Sequence, residues 1–412
     1  MKNTAQIFKS NKFKTAIISL AIRTQPDFYD ASKNALLAKI FSVSSNDYKT
    51  KQDITEKLED MNGAVFDVSV IKKGDEHIIL FFMEVLCLKE SSLKEPLEFI
   101  KSILYNPFVY KNAFDKNTFD REKRRLLNEI KTKRDKLSEY VVDRCIEEMY
   151  GKKGFGINSK GDYNIVSNIN SEELFEYYNY IMKNGIFEFI ISGNINEEDV
   201  KDYIRYNFTD VLYRDYKNKY KEEEIYNDEK EVFENADIKQ GKLCIGLKTG
   251  ICLGDEEYIP LIIFNEILGG SPNSLLFLNA REKEGLCYYI NSYVYKFKGV
   301  IIVQAGIDKN EYSKTLNIIK ETIKNIKNEI SDCDFENAKS NIIKMYKDIE
   351  DSMSSICDNI LNNILIEKNI EIEDYINSVK KCRKDEVLRI AEKIKFDTVY
   401  FISADDEEEV VK

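Results

Sequence analysis

The chain has 412 residues, of which 43% are hydrophobic and 12% aromatic, and carries a net charge of −11. The length and apolar content exclude a largely disordered protein and allow roughly two to four domains, each with its own core. The acidic balance, with a pI near 5.1, excludes nucleic acid and anionic membrane as main partners and leaves cationic peptides open.

The first residues carry no apolar signal-peptide region, and the early apolar run 16–22 is strand-length, too short for a bilayer. Cytoplasm is the expected compartment. Residues 14–23 predict a strand and 31–41 a helix on apolar spacing. A second helix ends at Asn62-Gly63, where glycine suits a C-cap, and a strand follows. Residues 77–85 predict the next strand, opening on His77, the chain's one histidine. A single histidine is too few for most hydrolase sites, since catalytic zinc usually takes two or three imidazoles and acid–base work falls mostly to this side chain. His77 reads as a strand histidine satisfied by a neighbour.

Further on, 171–181 predict a helix, 187–192 a buried strand, and Asn196 opens another helix. Residues 216–240 are dense in charge without a sustained apolar stripe and predict a solvated linker. Beyond it the order repeats: a strand at 242–248, a helix at 256–268, and a helix closed by Gly285 that runs into a strand. A strand at 299–305, a helix from Asp385, a strand at 398–403 and a last turn from Asp406 complete the echo. Two echoes in one order predict two homologous α/β halves, 1–215 and 241–412, joined by 216–240. Paired strands with helices between them predict an α+β architecture, each half a mixed or antiparallel sheet faced by helices. The eight cysteines are scattered with no C-x-x-C pair and predict mostly buried, reduced thiols. Gly269-Gly270 is followed by no Gly-Lys-Ser/Thr and is no phosphate loop.

From the helix at 31–41 through the helix ending at Gly63, the chain resembles the insulinase-type (pitrilysin, or inverzincin; M16) metallopeptidases. The first helix of that family bears H-x-x-E-H, whose two histidines share a face and grip zinc while the glutamate acts as base toward its water. On that frame the positions are Ala35, Ala38 and Lys39. Alanine offers no donor atom, and lysine at neutral pH is a cation. The resemblance therefore implies the LuxS/MPP-like metallohydrolase fold without a zinc site, catalytic residues or a cofactor. Glu122 and Glu129 keep the seven-residue spacing of the family's downstream glutamates, the second of which is the third zinc ligand in active members. Two turns apart, they either line a chamber or are ordinary charges of a solvated helix, in company with Arg121, Lys123, Arg124, Arg125, Lys131, Lys133 and Arg134. The stretch Ile267-Leu-Gly-Gly-Ser-Pro-Asn resembles the family's glycine loop, and Arg281 to Tyr288 its R-x(6)-Y signature. In active relatives that arginine and tyrosine help hold the scissile peptide. Here Arg281 and Tyr288 are candidate substrate-binding residues, with a structural ion pair the other reading of Arg281.

The resemblance covers nearly the whole chain and is nearest to the family's non-catalytic branch, bacterial chains of the elongation-factor-P-modification-associated type that accompany a motif-bearing sister. The alpha subunit of the mitochondrial processing peptidase is a more distant analogue, and its long glycine-rich loop is not matched. What this implies is the non-catalytic subunit of a heteromeric zinc peptidase, paired with an H-x-x-E-H-bearing sister in a heterodimer. A peptide substrate would lie in a chamber and dock by strand addition. A homodimer in isolation fits as well; nucleic acid and membrane do not. The alternatives are a stand-alone peptide-binding or scaffold protein, and an independent hydrolase using Cys or Ser with a carboxylate.

Overall fold

The computed structural model describes residues 5–24, 26–209 and 229–404. In chain order the first elements are β1 (Ala5–Lys9), β2 (Thr15–Thr24), α1 (Phe28–Phe41), α2 (Lys51–Asp60), β3 (Val65–Lys73) and β4 (Glu76–Leu86). There follow α3 (Lys94–Tyr105), the short pair β5 (Val109–Tyr110) and β6 (Ala113–Phe114), α4 (Lys116–Lys131), α5 (Leu137–Tyr150) and α6 (Tyr163–Asn168). Then come α7 (Ser171–Asn184), β7 (Ile186–Gly193), α8 (Glu197–Asn207), β8 (Lys230–Asn235), β9 (Gly241–Lys248), α9 (Tyr258–Asn265) and β10 (Cys287–Tyr295). The chain continues through β11 (Val300–Ile307), α10 (Tyr312–Asn328), α11 (Asp332–Ile349), α12 (Met353–Leu365), α13 (Ile372–Lys381), α14 (Lys384–Lys393) and β12 (Lys395–Ser403). The predicted turn from Asp406 lies outside the described residues.

The expected duplication is carried by the sheets. One has the order β1-β7-β2-β4-β3, the other β8-β12-β9-β11-β10, each five-stranded. Position by position the two are the same design: an edge strand parallel to the last strand of its set, and antiparallel pairing elsewhere. The mixed-sheet α+β class read from the sequence is thus observed twice. The two edge strands β1 and β8 were not among the predicted elements. β8 occupies part of the expected linker 216–240, of which 216–228 lies outside the described residues. Its Lys-Glu-Val-Phe-Glu-Asn sets the adjacent Val232 and Phe233 among charges and stays largely exposed, a composition that an edge strand tolerates.

The compact units are not contiguous sequence halves. The first is built from Met1–Thr132, Lys152–Lys219 and Ile349–Glu367, the second from Lys133–Gly151, Tyr220–Asp348 and Lys368–Lys412. The boundaries expected at 215 and 241 therefore miss two helices. In the first unit α12, from late in the chain, lies on β2 and β7, where Cys357 bonds to the side chain of Ser19 and Lys73 Nζ reaches Asn362 Oδ1 at 2.8 Å. In the second unit α5, from early in the chain, lies on β9 and β12. There Gly246 lets α5 approach closely, since a Cβ would press on the Met149 side chain and make it shift.

Alternation along the strands gives each sheet two buried faces. In the first unit Ile18, Leu20, Ile22, Ile79, Phe81 and Phe189 join the core built with α1, α3 and α7. The opposite face, which carries Ser19 and Arg23, is the one α12 lies against. The helix α1 is capped by Asp27, whose carboxylate accepts from the Tyr29 and Asp30 amides, and is buried on almost every side. Its one deep amide, Asn34, is satisfied by donating to Thr24 Oγ1 (2.8 Å) and accepting from Tyr177 OH (3.0 Å). The predicted helix–glycine–strand junctions form through left-handed backbone at Gly63 (φ 73°) and Gly285 (φ 64°). The expected glycine loop is in part not a loop, since Glu266–Gly270 continues α9 as a π-helical turn. Among the described residues no helix is long and apolar enough to cross a membrane.

Candidate functional site

In the first unit, α1 and α4 pack side by side and bring together residues that are far apart in sequence. Ala35 and Ala38 are buried in α1, 6% and 3% exposed. One residue on, Lys39 extends its ammonium to Glu129 of α4, with Nζ 2.6 Å from Oε1. Both side chains keep about a third of their surface in water (30% and 38%), so the pair adds about 1 kcal/mol or less to stability. Its chemical effect is larger than its energy, because the Glu129 carboxylate, which could accept a cation here, already holds the chain's own.

Glu122, two turns before Glu129, is not a solvated charge. It is fully buried and takes Arg121 Nε at 2.8 Å and Arg125 Nη1 at 3.1 Å. The basic cluster of α4 is thus partly tethered rather than simply solvated. The residue set Ala35, Ala38, Lys39 and Glu129 does not fit a zinc ion. Two positions have no donor atom, the third has no lone pair while protonated, and a lone glutamate falls short of the three protein ligands a catalytic zinc needs. Among the described residues no three His, Cys, Asp or Glu side chains form a group that could hold a metal ion.

His77 stands in β4 as expected, between Thr24 of β2 and Lys72 of β3. The expected neighbour is at most the Ile157 backbone, and neither ring nitrogen makes a well-formed hydrogen bond among the described residues, although the ring is wholly enclosed. Burial lowers its pKa to about 3, the nearby Lys72 ammonium adds to the effect, and the Ile157 backbone offsets only part of it. An enclosed, neutral imidazole of this kind is no acid–base catalyst at neutral pH. It does make stability pH-dependent. With the folded pKa below the unfolded value of about 6.5, the unfolded chain binds the extra proton, so this contribution is intact above pH 6.5 and is lost as pH falls toward 3. Between pH 6.5 and 5 the loss is about 2 kcal/mol. Urea unfolding of the wild type and of H77L at pH 7 and pH 5 is expected to differ in pH sensitivity by that amount, H77L being the flatter. Equal slopes would refute the assignment.

The second unit carries Arg281 and Tyr288. Arg281 sits on a π-helical turn, Phe277–Lys283, with its guanidinium 4.8 Å from the Phe277 ring centre and its Nε 3.9 Å from Glu282 Oε1. The loose ion pair and 43% exposure leave most of its donors to solvent. Tyr288 is 62% exposed, and its placement has a backbone cause that sequence could not supply. Cys287 pairs with Ile307 and Tyr289 with Gly306, so Tyr288 is the extra residue of a β-bulge in the edge strand β10. Bulges re-aim side chains and recur beside functional sites. The corresponding edge strand β3 of the first unit pairs without such a shift.

Six of the eight cysteines are buried, Cys252 is half-buried and Cys333 exposed, and none is in a disulfide. Burial pushes the thiols of Cys287 and Cys382 up to about 11 and that of Cys357 up to about 12, away from nucleophilic thiolates.

Comparison with known proteins agrees with this geometry. Residues 168–342 match the family model described as "Peptidase M16 inactive domain". The "Probable inactive metalloprotease YmfF" of Bacillus subtilis (strain 168) is 27% identical over 407 residues, 97% of this chain and 95% of that protein. Among solved structures, a conserved protein from Enterococcus faecalis V583 superposes with a TM-score of 0.87 at 24% identity, over 98% of this chain and 96% of its own. A peptidase M16 inactive domain from Pseudomonas fluorescens superposes with a TM-score of 0.80 at 14% identity, over 98% and 97%. At those identities the two structures speak for the fold. The family match over 168–342 and the full-length relative show that the chain is similar to inactive M16-type peptidases.

Proposed function

We propose that the chain is the non-catalytic subunit of a heteromeric zinc peptidase, in which a sister chain bearing H-x-x-E-H supplies metal and base. This chain supplies part of the wall of a peptide-binding chamber. The observation that carries the reading is the Lys39–Glu129 ion pair at 2.6 Å beside Ala35 and Ala38, which leaves a peptidase fold with a cation of its own where its active relatives hold zinc. In this reading Ala35, Ala38 and Lys39 are the vacated motif, and the pair compensates charge that a metal would otherwise neutralise. Further support comes from β3, an edge strand of the first sheet, the kind of element to which an extended peptide can add as a strand. Arg281 and the bulged Tyr288 are half-exposed donors suited to a peptide backbone. The chain would work in the cytoplasm.

Peptide cleavage by the sister chain, measured with and without this one, tests the proposal. Cleavage is expected to rise at least about tenfold on mixing, and a 1:1 complex to elute in size-exclusion chromatography. Unchanged cleavage and no complex would overturn the pairing and favour a stand-alone peptide-binding or scaffold protein.

A further inference from the structure

A carboxylate shut away from water costs several kcal/mol unless it is paired, and hydrophobic residues of similar volume usually serve stability as well or better. Glu122 is such a group, 0% exposed, yet both its partners stand at the surface, Arg121 44% and Arg125 51% exposed. Each arginine gives one edge of its guanidinium to Glu122: Arg121 through Nε, Arg125 through Nη1. Among the described residues the remaining N–H groups of both have no partner. What the buried carboxylate accomplishes is to fix two guanidinium planes, one helical turn apart on α4, with open edges. The cluster keeps a net charge of about +1 on a chain that is acidic as a whole. Guanidinium held in this way is suited to bidentate recognition of a carboxylate, and little side-chain entropy remains to be lost on binding.

We propose that Arg121 and Arg125, braced by Glu122, recognise an acidic side chain of the bound peptide. This rests on the peptide-binding reading and gives it a substrate class. At about 1.5 Å per residue, the arginine pair lies about 9 Å along α4 from Glu129, the span of about three residues of extended chain. The recognised Asp or Glu therefore falls about three positions from the peptide residue beside the Lys39–Glu129 pair.

Two fluorescein-labelled twelve-residue peptides of Ala, Ser and Val, one with a central Asp and one with Asn, are titrated with the full chain and read by anisotropy. The Asp peptide is expected to bind about tenfold or more tightly, with the preference shrinking as salt rises. The neutral variant R121Q/E122Q/R125Q leaves no buried charge unpaired and is expected to reduce the Asp peptide to the Asn level while the Asn peptide and the melting curve stay as in wild type. R121K/R125K is expected to recover only part of the preference, because an ammonium lacks the planar fork. Equal binding of the two peptides by wild type overturns the inference and leaves the peptide-binding reading standing. A preference that survives in the neutral variant also overturns it. Binding of neither peptide overturns both.

Discussion

The variant A35H/A38E/K39H is expected to take up one zinc ion per chain, where the wild-type chain takes up none. The argument is geometric. Positions 35 and 39 are one turn apart on α1 and share a face, and Lys39 Nζ already touches Glu129. A histidine at 39 removes the resident cation and frees that carboxylate as third ligand. Zinc at a free concentration of 100 times its Kd should then stabilise the variant by about 2.7 kcal/mol, with no shift for wild type. The metal-free variant should be less stable than wild type by about 1–3 kcal/mol, because Ala35 and Ala38 are buried and larger side chains overpack the helix face. Adding E129Q should weaken zinc at least about tenfold. Chelator competition and thermal melts with and without zinc supply the readout. A variant that folds and ignores zinc would show that these three positions are not the vacated motif.

The second large effect concerns the interior of the first unit. Arg23 and Glu76, at 5% and 0% exposure, form a two-point pair, Nε to Oε2 and Nη2 to Oε1, both at 2.9 Å. Glu188 stands off at 3.5 Å. They sit on the sheet face that α12 lies against. E76A withdraws the bidentate partner from an enclosed guanidinium and is expected to cost about 3–5 kcal/mol in urea unfolding. Replacing both ions, as in R23M/E76L, should cost much less than E76A alone, because no fully enclosed charge is left stranded and Glu188, 22% exposed, still reaches water. A single-variant loss below about 1 kcal/mol would mean that water reaches Arg23. The second unit repeats the device in part, since Lys248, at the end of the equivalent strand β9, lies 3.0 Å from Asp397 with both side chains buried.

What was legible in the sequence is what short-range chemistry writes there. The apolar spacing of α1, the glycines at 63 and 285 that close one helix in each half, and Asn196 as a cap are all local signals, and the duplication was read from their repetition. The vacated positions in α1 were legible through the family frame, and the pairing of Lys39 with Glu129 could have been foreseen from it. Other features depend on residues distant in sequence. Arg23 and Glu76 are 53 residues apart, and neither carries a local mark of its pairing. Glu122 looked like a surface charge among arginines because helical spacing alone cannot say which face meets a neighbour. The edge strand β8 was hidden by the charges that protect it. The bulge that turns Tyr288 outward depends on its register with β11.

The two helices that cross from one stretch of chain to the other sheet also set an order of events at the ribosome. The strands of the first sheet are all synthesised by Gly193, but the helix that lies on one of their faces ends at Leu365. At roughly 5–20 residues per second that face waits about 10–30 s for its cover. Until then Ile17, Ala21 and Arg23 lack that cover, so maturation of the first unit is tied to synthesis as far as Leu365.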